Sequence, residues 1–191
     1  MKKTRHVIVL TGGGKGKTTA ALGMVLRCLG HGGRVALIRF LKGSRIHGLG
    51  GVPGEITALR KFGPQINVWS FGRKYTWLHS WAENRRIVSA AWKKATRVLR
   101  DPRYDLIVLD EINYCMKYRL LSTSEVLKAI RRFLCAKPRG CASAAEKCTH
   151  IVLTGNGAPR NILRCADLVT EMRCVKHPFA KGASAKPGVE F

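Results

Sequence analysis

The stretch Thr11 to Thr19 reads TGGGKGKTT and is the part of the chain most clearly built for chemistry. Three consecutive glycines, Gly12, Gly13 and Gly14, let backbone N–H groups approach phosphate oxygens with no Cβ in the way. Gly16, Lys17 and Thr18 match the second half of the phosphate-loop pattern, and Lys15 and Thr19 flank them; Thr11 stands where the pattern has its first glycine. In that pattern the lysine meets the outer phosphates and the threonine hydroxyl meets magnesium. Asp110 and Glu111 follow the apolar run LIVL and supply the acidic groups that such a site needs. Glu111 reads either as a magnesium ligand or as a water-activating base, and spacing alone does not decide between them. A nucleoside triphosphate with Mg2+ is the expected ligand.

The elements that must position these residues are visible around them. His6 to Thr11 is a β-branched run ending at the glycines, and Lys17 to Gly30 carries Ala21, Met24, Val25, Cys28 and Leu29 at helical spacing. Val35 to Phe40, Ile66 to Phe71, Asp105 to Asp110, His150 to Thr154 and Leu168 to Met172 read as further strands. Asn84 to Arg100 is an amphipathic helix; Ser122 to Leu134 is a second, with Ser122 and Glu125 spaced for a capping box. A short helix is expected over Asn161 to Ala166. The glycine-rich Leu41 to Gly54 and the small, polar Cys135 to Thr149 read as loops. Strands alternating with helices predict one α/β domain over residues 1–191, a mostly parallel sheet with helices on both faces, P-loop NTPase-like and RecA-like.

Composition narrows the function classes. With 35 Lys+Arg against 11 Asp+Glu the formal charge is +24, which raises nucleic acid as a partner. The charge is spread along the chain without a basic arm, so a nucleic-acid role is not the leading expectation. No apolar run nears the roughly 18 residues of a membrane span, and the N-terminus lacks a signal-peptide core, so a cytoplasmic protein is expected. The seven cysteines include no C-x-x-C pair, which points away from a disulfide framework or a familiar zinc site.

Taken together, four segments resemble the ATP:corrinoid adenosyltransferases of the CobA/BtuR type. They are Thr11 to Gly43 (TGGGKGKTTAALGMVLRCLGHGGRVALIRFLKG), Leu106 to Leu121 (LIVLDEINYCMKYRLL), Val152 to Pro159 (VLTGNGAP) and Ala166 to Phe191. The resemblance implies transfer of the 5′-deoxyadenosyl group of ATP to the cobalt of a reduced corrinoid such as cob(I)alamin, with release of triphosphate. It implies Lys17, Thr18 and Glu111 as catalytic residues, Thr18 and Glu111 as magnesium partners, and an ordered C-terminal end where composition alone suggests a flexible tail. It also implies a homodimer and a flavoprotein-type electron donor.

Tyr75 and Trp77 stand where the family carries an aromatic-x-Trp segment facing the corrinoid; on residue type alone they read as ordinary hydrophobic contacts. His79 and His177 receive no role. Two positions depart from the family pattern: Arg39 replaces the Gln of QFxKG, and Asn156 replaces the Arg of TGRG. Both bear on how the triphosphate is held, the Arg39 charge offsetting the one absent at 156. Many relatives carry an N-terminal extension, whereas this chain begins almost at its first strand, which leaves open the corrinoid cover and dimer contacts such an extension makes. The competing expectation is a P-loop ATPase or kinase acting on nucleic acid, weakened by the absence of a recognisable arginine finger or substrate-base motif. A third is a nucleotide-binding protein without chemistry.

Overall fold

The computed structural model describes residues 5–43, 52–72, 80–136, 149–178, 182 and 188. Six strands form one sheet: β1 (Arg5–Thr11), β2 (Val35–Arg39), β3 (Ile66–Ser70), β4 (Leu106–Asp110), β5 (Thr149–Thr154) and β6 (Leu168–Glu171). Their order is β3-β2-β4-β5-β1-β6, and every pairing is parallel. Parallel strands require crossovers, and helices supply them: α1 (Lys17–Gly30), α2 (Gly54–Arg60), α3 (Trp81–Val98), α4 (Ile112–Lys117), α5 (Thr123–Cys135) and α6 (Arg160–Cys165).

Alternation along the strands divides the core into two layers. Val7 and Val9, Ala36 and Ile38, Ile107 and Leu109 pack with α3, α4, α5 and α6 on one face. Leu10, Val35, Leu37, Leu106 and Val108 pack with α1 and α2 on the other. Each central strand is buried on both sides, which is why LIVLD and VALIR are near-continuous apolar runs rather than alternating ones. All six expected strands are present within a residue or two, and helices do cover both faces.

Two helices go beyond the sequence reading. α2 begins where the glycine-rich loop ends, with Ile56 and Leu59 buried under the sheet. α4 starts directly after Glu111 and buries Ile112, Cys115 and Met116, a turn too short for its periodicity to register. α3 starts three residues earlier than expected, because Ser80 and Glu83 form a full capping box. The box expected at Ser122 is absent: Ser122 is the N-cap of α5, but its hydroxyl pairs with Ser124 Oγ at 2.7 Å. Most of the expected loop Cys135 to Thr149, and residues 179–181, 183–187 and 189–191 of the C-terminal stretch, lie outside the described residues. No helix among the described residues is long and apolar enough to cross a membrane.

Candidate active site

Parallel pairing gathers the carboxyl ends of the strands on one edge of the sheet, the edge where open α/β sheets bind ligands. Thr11 closes β1, Arg39 closes β2, Asp110 closes β4 and Thr154 closes β5. Register sets Arg39 opposite Asp110 and Leu109 opposite Leu153, so residues distant in sequence become neighbours.

The glycine loop leaves β1 and enters α1. Gly12 and Gly16 adopt φ of +95° and +102°, the left-handed region that favours glycine. The loop lies against the end of β6: Gly14 N–H donates to Met172 O at 2.7 Å, and a Cβ on Gly14 would stand 2.7 Å from the Arg173 carbonyl carbon. Thr11 is tied down in place of the pattern's first glycine, its Oγ1 accepting from the Ala158 N–H at 3.2 Å. α1 opens with no side-chain cap and no acid in its first turn, so its first N–H groups and partial positive charge face the loop. Gly13, Lys15 and Thr19 are exposed at the mouth. Lys17 Nζ donates to Gly12 O at 2.8 Å and to Gly14 O at 2.6 Å, arching over the loop, and burial lowers its pKa.

Thr18 meets the acidic strand through Asp110. Its hydroxyl donates to Asp110 Oδ1 at 2.9 Å, and Thr154 Oγ1 donates to the same oxygen at 2.7 Å. Asp110 is wholly buried, and its Oδ2 makes no hydrogen bond. Glu111 is partly buried next to it and reaches the cluster through Lys42, whose Nζ stands 3.7 Å from Glu111 Oε1, 3.4 Å from Asp110 Oδ2 and 2.7 Å from Thr18 Oγ1. Burial chiefly, with the Asp110 charge, raises the Glu111 carboxyl above its ordinary pKa, while Lys42 and Lys17 pull the other way.

Glu111 also sits at φ 69° with no glycine's freedom, a strained conformation held by its N–H donating to Thr154 Oγ1 at 2.9 Å. Arg39, 4% exposed, lies beneath the cluster, 3.5 Å from Glu55 of α2 and 3.9 Å from Asp110 Oδ2. Asn113 Nδ2 donates to Gly155 O at 3.0 Å and anchors the turn after β5, the turn that carries Asn156.

The structure thus brings Gly12 to Thr18, Asp110 and Glu111 together. Asp110 is the direct partner of Thr18, and Lys42, Thr154, Glu55 and Asn113 complete a set for which sequence reasoning assigned no role. Tyr75, Trp77 and His79 lie outside the described residues. Three oxygen-bearing side chains, Thr18, Asp110 and Glu111, beside a cationic glycine loop can hold a polyphosphate and a hard cation. Among the described residues no group of three or more His, Cys, Asp or Glu forms a separate metal site.

Comparison with known proteins identifies the chemistry this arrangement serves. Residues 3–191 match the family model described as ATP:corrinoid adenosyltransferase BtuR/CobO/CobP. A corrinoid adenosyltransferase of Pseudomonas aeruginosa is 38% identical over 187 residues, covering 97% of this chain and 83% of the relative. One of Sinorhizobium sp is 37% identical over 187 residues, covering 97% and 79%. The corrinoid adenosyltransferase CobA of Salmonella typhimurium is 36% identical over 189 residues, covering 97% and 85%. With a glycine loop, an acid-bearing strand and a match along nearly its whole length, the chain belongs to the ATP:corrinoid adenosyltransferase family.

Proposed function

We propose a course for adenosyl transfer in which this site holds the triphosphate of ATP and leaves the nucleophilic work to the second substrate. The chain is a transferase of the corrinoid adenosyltransferase family, so ATP and a reduced corrinoid are its substrates. Cobalt(I) attacks the 5′ carbon of ATP; the cobalt–carbon bond forms with the metal's electron pair, the C5′–O5′ bond breaks, and triphosphate leaves with its pair. Cobalt is formally oxidised from +1 to +3. No protein base is required, which fits a Glu111 held by Lys42 rather than freed to activate water.

The protein's part is positioning and charge compensation. Backbone N–H groups of the Gly12 to Thr19 loop, other than that of Gly14, which is bonded to Met172 O, would cradle the phosphates, and Lys17 would turn from the carbonyls of Gly12 and Gly14 to the outer phosphates. Thr18, Asp110 and Glu111 would hold Mg2+, which when bound neutralises charge on the leaving triphosphate. The unbonded, buried Asp110 Oδ2 beside the Thr18 hydroxyl supports that assignment, because an oxygen donor set suits magnesium. β5 lies between the glycine-loop strand and the acid strand, which supports the RecA-like form of the fold. Tyr75 and Trp77 would face the corrinoid. The resemblance extends the proposal to a cytoplasmic homodimer served by a flavoprotein-type electron donor.

The observation that carries the reading is the Thr18–Asp110 contact at the mouth of the glycine loop. The experiment is anaerobic incubation of wild type and Trp77→Ala with ATP, Mg2+ and chemically reduced cob(I)alamin, followed by visible spectra before and after illumination. Wild type should form a light-sensitive corrinoid; Trp77→Ala should lose turnover while binding ATP normally. Unimpaired turnover by Trp77→Ala would remove that residue from the corrinoid site.

A further inference from the structure

Lys42 occupies the point where the oxygen donors of the nucleotide site converge. Its Nζ lies 2.7 Å from Thr18 Oγ1, 3.4 Å from Asp110 Oδ2 and 3.7 Å from Glu111 Oε1. These are the same three side chains that the proposed function assigns to the metal. A lysine head and a divalent ion placed there would be like charges within about 4 Å, a strong repulsion in a partly buried setting.

The backbone keeps Lys42 at this station. Phe40 N–H donates to Asp110 O at 3.0 Å, and Gly72 N–H donates to Lys42 O at 3.2 Å. A Cβ on Gly72 would fall 2.3 Å from the Leu41 carbonyl carbon, so the approach of the two segments depends on that glycine. Nearby charges reinforce it. Arg39 is engaged with Glu55 at 3.5 Å and stands 3.9 Å from Asp110. Lys17 Nζ is bonded to the loop carbonyls instead. Lys42 is therefore the nearest cation to both Asp110 Oδ2 and Glu111 Oε1 among the described ion pairs. Its four-carbon stem and 33% exposure leave the head able to swing outward.

We propose that Lys42 is a resident counter-cation: in the nucleotide-free protein its ammonium holds the metal position, and it yields that position only when a triphosphate is present to receive it. The consequence is an order of events. Divalent metal alone is excluded, and metal enters together with nucleotide, whose phosphate oxygens take over the lysine charge. This rests on the nucleotide–metal reading of the site.

Electron paramagnetic resonance of Mn2+ tests it, with no corrinoid present and therefore no turnover. Wild type should bind Mn2+ weakly when the metal is offered alone and much more tightly when ATP is added. Lys42→Met should bind Mn2+ without nucleotide about tenfold more tightly than wild type, or better, a change of the size that altered partners around metal ligands produce. Its additional gain on adding ATP should shrink. Lys42→Arg should restore exclusion, and far-UV circular dichroism verifies that both variants fold. Equal nucleotide-free Mn2+ affinity in wild type and Lys42→Met, with normal ATP-dependent uptake by wild type, would overturn the role of Lys42. Failure of wild type to take up Mn2+ even with ATP would overturn the metal reading beneath it.

Discussion

Thr154 is the joint between the two acidic residues, and replacing it with valine isolates that role. Its hydroxyl donates to Asp110 Oδ1 at 2.7 Å and accepts from the Glu111 N–H at 2.9 Å, in a fully buried position. Valine keeps the shape and removes both bonds. A hydrogen bond to an ionised carboxylate contributes about 1.5–3 kcal/mol, and an orphaned buried N–H costs about 1–3 kcal/mol, so roughly 3 kcal/mol should be lost. For a chain of this size that corresponds to a fall of about 6–12 °C in Tm.

The effect should extend to function, because the strained backbone at Glu111 loses the contact that holds it and Asp110 loses one of two groups that orient it. Adenosyl transfer should slow, and the Mg2+ concentration for half-maximal rate should rise. Thr154→Ser keeps the hydroxyl and should lie near wild type in both respects, at a cost of about 1 kcal/mol for the lost methyl. Thermal unfolding by circular dichroism and a metal titration of the initial rate make the comparison. Thr154→Val with wild-type Tm and metal dependence would refute the argument that this hydroxyl positions the acid pair.

Three further substitutions test the loop and the partly buried Glu111. Gly14→Ala should cost about 1–3 kcal/mol, because its Cβ would meet the backbone of Met172 and Arg173, whereas Gly13→Ala, with nothing within 4 Å, should leave Tm within about 1 °C of wild type; equal stability of the two would show that β6 does not press on the loop. Folding raises the Glu111 carboxyl above its ordinary 4.5, so the stability linked to its proton is present below that value and lost as pH rises through the folded one. Glu111→Gln should accordingly raise Tm at neutral pH, and the gain should vanish near pH 4; a variant less stable than wild type at pH 7 would contradict the sign.

Much of this was legible along the chain, and the remainder depended on contacts between distant residues. The β1, glycine-loop and α1 unit announces itself because its signals are local: a β-branched run, glycines, and apolar residues at helical spacing. LIVLD reads as a buried strand for the same reason. The capping box of α3 was an equally local signal, Ser80 and Glu83 carrying the S-x-x-E spacing, but the apolar stripe that marks the helix begins only at Val88, and the expected start at Asn84 passed over it. At Ser122 the same spacing misled, because Ser124 offered a nearer partner.

The partner of Thr18, by contrast, is fixed by strand register: Asp110 is 92 positions away, and Thr154 a further 44 beyond it. Adjacent acids at 110 and 111 look equivalent in sequence. The left-handed turn at Glu111 sets them apart: Asp110 is wholly buried against the Thr18 hydroxyl, Glu111 is only partly buried, and Lys42 reaches both. Arg39, a departure from the family's strand-end Gln, proves to be a buried charge balanced by Glu55 on a helix that periodicity did not show.

Adenosyl transfer breaks ATP at the 5′ carbon rather than between phosphates. Phosphorus-31 NMR of the products of one anaerobic turnover, with Mg2+, ATP and chemically reduced cob(I)alamin, reads that choice directly. Intact triphosphate is expected in equal amount to alkylated corrinoid. ADP and orthophosphate with an unchanged corrinoid would contradict it.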